Sequence, residues 1–144
     1  VGEEEVVYRV NDDQRRPVIA VDFDGVIVQN AFPEIGKINN MVIICLEYLH
    51  DAGWYIILWT CRGGSDLRDA VLFMYERHIP FDTVNNHAPW HQPEDYGHLP
   101  GEYGPCVKIT ADIYLDDKAI RYGKEGWLAA LIREAHQYQL KGGE

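Results

Sequence analysis

The stretch Pro17-Val18-Ile19-Ala20-Val21-Asp22-Phe23-Asp24-Gly25-Val26 decides how the rest of the chain is read. A short apolar run without alternation suits a strand covered on both faces, as in parallel sheets. This run, 17–22, closes on an acid, and Gly25 permits a tight turn directly after it. Ligands of open α/β sheets bind beyond the carboxyl ends of the strands, so Asp22 and Asp24 fall where a site is expected.

The segments that follow agree with such a sheet. Residues 25–38, with Gly25, Pro33 and Gly36, read as a loop. A helix is expected from about Asn40 to Ala52, with Met41, Ile44, Cys45, Tyr48, Leu49 and Ala52 as its inward stripe and Gly53 as its stop. Trp54 to Thr60 reads as a second buried strand. Ser65 suits the N-cap of a helix running to about His78, with Leu67, Ala70, Val71, Met74 and His78 inward and Pro80 preventing continuation. Phe81 to Val84 is expected as a short third strand. Residues 85–105 form a long loop rich in His, Pro, Gly and aromatics, a length that in a compact domain points to function or mobility. Asp112 to Asp116 supplies a further strand, and a helix over about 126–140 closes the chain with Leu128, Leu131, Ile132 and Ala135 inward. This alternation predicts an α/β fold, a Rossmann-like three-layer sandwich around a central parallel sheet. Residues 1–16 are expected to be a flexible acidic arm with one strand-like patch at Val6 to Val10, and 17–144 a single domain.

Composition narrows the function classes. The 144 residues suit one domain, and 47% apolar with 25% charged residues is a globular balance. No uncharged apolar run approaches the roughly 20 residues of a membrane span. The start Val1-Gly2-Glu3-Glu4-Glu5 lacks the basic and apolar regions of a signal peptide. The formal charge is −10, from 13 Lys and Arg against 23 Asp and Glu, which speaks against nonspecific nucleic-acid binding and anionic membranes. Cys45, Cys61 and Cys106 are odd in number, widely spaced and without a CxxC, so a disulfide framework or thiolate zinc site is not expected and a cytoplasmic, reducing setting is.

The strand ends carry the chemistry. Asp22 and Asp24, then Thr60, then Asp116 and Asp117 are all placed at one rim of the expected sheet. Four carboxylates in one cleft repel each other unless a cation lies among them, and oxygen-only ligation suits Mg²⁺. A carboxylate can attack phosphorus, a second one nearby can supply a proton, and a Thr hydroxyl with a Lys ammonium can hold the transferring oxygens.

Asp22-Phe23-Asp24-Gly25-Val26 behind an apolar strand resembles the first motif of the haloacid dehalogenase (HAD) superfamily. Leu58-Trp59-Thr60 resembles the second, Lys108 the third-motif Lys, and Tyr114-Leu115-Asp116-Asp117 the fourth. The resemblance spans residues 18–117 in the right order. It implies a phosphatase in which Asp22 is nucleophile and metal ligand. Asp24 would be general acid and then base, offering its backbone carbonyl to the metal. Thr60 and Lys108 would hold the phosphoryl group, and Asp116 and Asp117 would complete the Mg²⁺ site. Asp24 favours phosphatases over the superfamily's dehalogenases, which lack that acid. The expected substrate-binding set is Gly25, Thr60, Cys61, Arg62 and Lys108, with Cys61 read as a packed thiol. The segments 26–39 and 85–107 are too short for cap domains, so a capless member is implied. Its open site suits larger phosphorylated substrates, or closure by a neighbouring subunit in a homo-oligomer.

Other readings stand beside these. A 5′-nucleotidase-like enzyme fits the same motifs, with Trp90, Tyr96 and Tyr103 available to stack on a base; sugar phosphates are a further substrate class. A catalytically quiet phosphate- or metal-binding member is the rival from another class. Arg62 could serve an ion pair instead of substrate, Lys118 is the alternative to Lys108, and His87, His91 and His98, spaced in a Pro-rich loop, suit substrate contact or surface roles more than zinc. Nine acids lie either in the arm (Glu3, Glu4, Glu5, Asp12, Asp13) or in the expected metal site. The acidic total is therefore compatible with a phosphorylated substrate.

Overall fold

The computed structural model describes residues 16–91, 109–117 and 131–137. The elements run β1 (Val18–Val21), β2 (Val28–Ala31), β3 (Glu34–Ile38), α1 (Asn40–Asp51), β4 (Tyr55–Leu58), α2 (Gly64–Glu76), β5 (Thr83–Val84) and β6 (Ile113–Leu115). Residues 131–137 are helical. Four strands form a parallel sheet in the order β5-β4-β1-β6, while β2 and β3 make a separate antiparallel hairpin. The architecture is α/β and Rossmann-like, with three layers around the central sheet and no cap domain among the described residues.

β1 is the middle of the fold. It pairs Ile19 with Ile56 and Ile113, and Val21 with Leu58 and Leu115. Every residue of β1 and β4 is buried. Successive side chains of a strand serve opposite faces. Ile19, Val21, Ile56 and Leu58 therefore join Val42, Leu46, Leu49, Met74, Leu131 and Ala135 in the larger core. Val18, Ala20 and Ile57 look the other way, where Ala88, Ile109, Trp59, Trp90 and Tyr114 cover them. Each large aliphatic side chain so buried contributes about 1.5–3 kcal/mol. At the opposite end from the site, two carboxylates cap strand starts: Asp112 accepts the Val18 N–H at 2.8 Å and Asp82 the Ile56 N–H at 2.7 Å.

The structure corrects several local expectations. Residues 28–38 are not a plain loop but the β2–β3 hairpin, whose turn contains a cis Phe32-Pro33 bond. Its strands are mostly exposed, so they lack the apolar run that marks a buried strand, yet Ile35 and Ile38 pack on the core. In α1, Cys45 and Leu49 are buried as expected, but Val42 and Leu46 complete the inner face and Met41, Ile44 and Tyr48 are exposed. Ser65 lies inside the first turn of α2, with Gly63 at the N-cap and no side-chain cap. His78 is exposed and follows the helix at φ 55°. Ala70 and Met74 do face inward. In the last helix Leu131 and Ala135 are buried, while Ile132 is 36% exposed. Residues 1–15 of the arm, the loop residues 92–105 and Leu128 lie outside the described residues. No helix among those described is long and apolar enough to cross a membrane.

Candidate active site

β1 and β6 end side by side, and this brings their terminal acids together. The Asp22 N–H donates to the Leu115 carbonyl at 3.0 Å, locking the two strand ends. Asp22, Asp116 and Asp117 each place a carboxylate oxygen within 4.8 Å of the others, and all three are half-buried. Burial above all, then the Asp116 charge, pushes the Asp22 carboxyl up to about 7; Asp117 and Asp24 add to this, and the Phe23 N–H, which Asp22 Oδ1 accepts at 2.8 Å, works against it. A cluster that disfavours its own charge in this way is one that a cation would relieve. The donors are oxygen only, which fits a hard ion such as Mg²⁺ holding a few carboxylates.

Gly25 makes this crowding sterically feasible. Its φ is +91°, and a Cβ there would lie 2.5 Å from Asp117 Oδ2. Its N–H donates to the Val28 carbonyl at 2.8 Å. Gly25 thus gives the turn room for Asp117 and spends its own donor inside that turn, unlike the substrate-binding role expected for it.

Thr60 follows β4 and is 9% exposed. Its hydroxyl oxygen accepts the Arg62 N–H at 3.1 Å, which leaves the hydroxyl hydrogen to donate outward. The peptide of Thr60 is gripped from β5: its N–H donates to Asn85 Oδ1 at 2.8 Å, and its carbonyl accepts from Asn85 Nδ2 at 2.9 Å. Asn85 was not singled out from the sequence. It holds φ 49°, a conformation Asn tolerates better than most residues, and an Asn directly after a strand is the signal that could have found it.

Asp24 is not one of the three clustered acids and is held by Arg62. The guanidinium donates from Nε to Asp24 Oδ2 and from Nη2 to Asp24 Oδ1, both at 2.7 Å. Nη2 also donates to the Glu34 carbonyl at 2.9 Å, and Nη1 to the carbonyls of Pro33 at 3.1 Å and Asp66 at 3.4 Å. All five N–H groups of an arginine are thereby engaged. The rings of Phe23 and Phe32 lie against the same group, each centroid 5.1 Å from Cζ. The bond to Asp24 raises the Arg62 pKa further above its ordinary value despite burial. Arg62 therefore has no donor left over for a substrate phosphate in this arrangement.

Cys61 is exposed and not the packed thiol expected of it. Lys108, Lys118, Cys106, His98, Tyr96 and Tyr103 lie outside the described residues. Of the loop histidines, His87 Nδ1 accepts the Thr110 N–H at 3.4 Å and the His91 ring meets Trp90 edge-on. The Trp90 ring in turn packs on Tyr55, on the sheet face opposite the large helices.

A solved structure of a conserved protein from Bacteroides thetaiotaomicron is similar to 85% of this chain and 91% of its own, at 29% identity and a TM-score of 0.64. A target protein from Vibrio cholerae aligns over 88% of this chain and 98% of its own, at 18% identity and a TM-score of 0.45. Neither description names an activity. No protein-family model matches the chain, and no curated protein does.

Proposed function

We propose that this protein is a Mg²⁺-dependent phosphohydrolase of the HAD type that cleaves phosphate monoesters through a phospho-Asp22 intermediate. The observation that carries the reading is the convergence of Asp22, Asp116 and Asp117 within 4.8 Å, beyond the ends of two adjacent parallel strands. The HAD-like motif order and Thr60 at the end of the neighbouring strand support it.

Asp22, Asp116 and Asp117 are the residues that would hold Mg²⁺. When bound, the ion supplies positive charge that offsets the acids and the phosphoryl oxygens. The Asp22 carboxylate attacks phosphorus, the ester P–O bond breaks, and the departing oxygen takes a proton from Asp24. Water then attacks the phosphorus of phospho-Asp22, gives a proton to Asp24, and releases inorganic phosphate and the Asp22 carboxylate. The Thr60 hydroxyl donates to a phosphoryl oxygen, and Lys108 is assigned the same task. The substrate is a phosphorylated small molecule, with nucleotides and sugar phosphates as the first classes to examine, and the setting is cytoplasmic.

Incubation with p-nitrophenyl phosphate and Mg²⁺, followed by a panel of nucleotides and sugar phosphates, tests the reading. Turnover that disappears with EDTA and in Asp22→Asn supports it. Absence of turnover on every ester, with tight retention of phosphate or metal, replaces it with a binding function.

A further inference from the structure

We infer that Arg62 is a positioning residue that fixes the general acid Asp24 and the β2–β3 hairpin with one guanidinium. The role assigned to Asp24 rests on the proposed phosphohydrolase; the tie between hairpin and core does not.

The argument is one of donor geometry. A fork of two parallel bonds sets the plane and the distance of a carboxylate together, which a point charge does not. Here that fork, Nε and Nη2, grips both Asp24 oxygens at 2.7 Å. The far side of the group holds the backbone of the hairpin turn, through the carbonyls of Pro33 and Glu34. Two aromatic rings, Phe23 from the end of β1 and Phe32 from the turn, close over its faces. The Arg62 side chain is 1% exposed, so water does not compete for these bonds. Asp24 and the hairpin tip thus share one mount, and a general acid misplaced by about 1 Å can lose about a hundredfold in rate.

Arg62→Lys keeps the charge and removes the fork. It is compared with wild type on an alkyl phosphate, whose alkoxide needs a proton to depart, and on p-nitrophenyl phosphate, whose phenolate needs little. A misplaced acid lowers kcat/KM about tenfold to a hundredfold on the alkyl ester and less than about threefold on the aryl ester. In an Asp24→Asn background the same change costs less than about threefold on either substrate, since the group it positions is gone. Hydrogen exchange over residues 28–38, at least about tenfold faster in Arg62→Lys, reports the hairpin tie without any substrate. Equal losses on both esters, a full additional loss in Asp24→Asn, or a raised KM with unchanged kcat overturns the role toward Asp24 and returns Arg62 to general folding or substrate contact. Unchanged exchange overturns the tie. If wild type hydrolyses no ester, the phosphohydrolase reading fails and the role toward Asp24 falls with it, while exchange still decides the tie. Should Arg62→Lys fail to fold, Arg62→Ala with added guanidinium is read instead. Restored alkyl-ester turnover supports the positioning role, and no restoration in a folded protein overturns it.

Discussion

Asp24 and Arg62 meet fork to fork, two bonds of 2.7 Å joining the residue three places after the end of β1 to the residue two places before α2. The pair spans 38 positions of sequence and connects the loops of two adjacent strands. Its side chains are 1% and 17% exposed. Breaking such a pair by removing one partner strands a charge and, here, also the carbonyls of Pro33 and Glu34.

Arg62→Met is therefore expected to cost about 3 kcal/mol in urea denaturation. The exposed pair Arg68–Asp69, 3.9 Å apart, is the internal control. Arg68→Ala should shift stability by less than about 0.5 kcal/mol.

Asp22 dictates a dependence on pH. Its carboxyl is raised from 3.8 to about 7 in the folded chain, so folding favours the protonated form. The contribution is fully present below the ordinary value and is lost as pH rises through about 7. The metal-free protein, in EDTA, should lose stability over that window. Converted in full the shift is about 4 kcal/mol, and solvent screening of this half-buried group cuts it to about 1–2 kcal/mol. Mg²⁺ needs the ionised carboxylate and should raise the melting temperature more at pH 8 than at pH 5. Thermal melts with and without Mg²⁺ at the two pH values check both signs.

Gly25→Ala meets two obstacles, the φ of +91° and the Asp117 carboxylate 2.5 Å from the new Cβ. Stability should fall by about 1–2 kcal/mol, and Mg²⁺ affinity by about tenfold or more as Asp117 is displaced. Calorimetric titration of the variant with Mg²⁺ separates the two losses.

Asn85→Ala removes both bonds to the Thr60 peptide. About 2 kcal/mol of stability should go with them, and kcat/KM for p-nitrophenyl phosphate should fall about tenfold as the hydroxyl loses its aim. Asn85→Asp keeps the acceptor for the Thr60 N–H and should recover part of both.

The central strands were legible because burial on both faces leaves an unbroken apolar run, as in Val18 to Val21 and Tyr55 to Leu58. The position of Asp22 followed from the first of those runs, and Asp116 with Asp117 from the strand Ile113–Leu115, which the acid pair directly follows. The hairpin was not legible: Val28 to Ala31 has a single buried residue, and Pro33 and Gly36 read as loop punctuation. The α1 stripe was half legible because that helix is apolar around most of its circumference, so Met41, Ile44 and Tyr48 fit the period as well as Val42 and Leu46 do. Periodicity states that a face exists; only the sheet beneath decides which. The partners of Asp24 and Thr60 lie 38 and 25 residues away, and no local pattern reports a pair across that distance.

Apart from the Phe32 ring against Arg62, the hairpin tip is attached to the rest of the molecule through main-chain oxygens. Such an attachment is indifferent to which side chains the tip carries at Pro33 and Glu34, provided the turn keeps its shape. The part of the tip that meets the outside can therefore be rewritten while its anchorage persists. New side chains can be selected there, or installed by hand, without disturbing the acid that the same guanidinium holds.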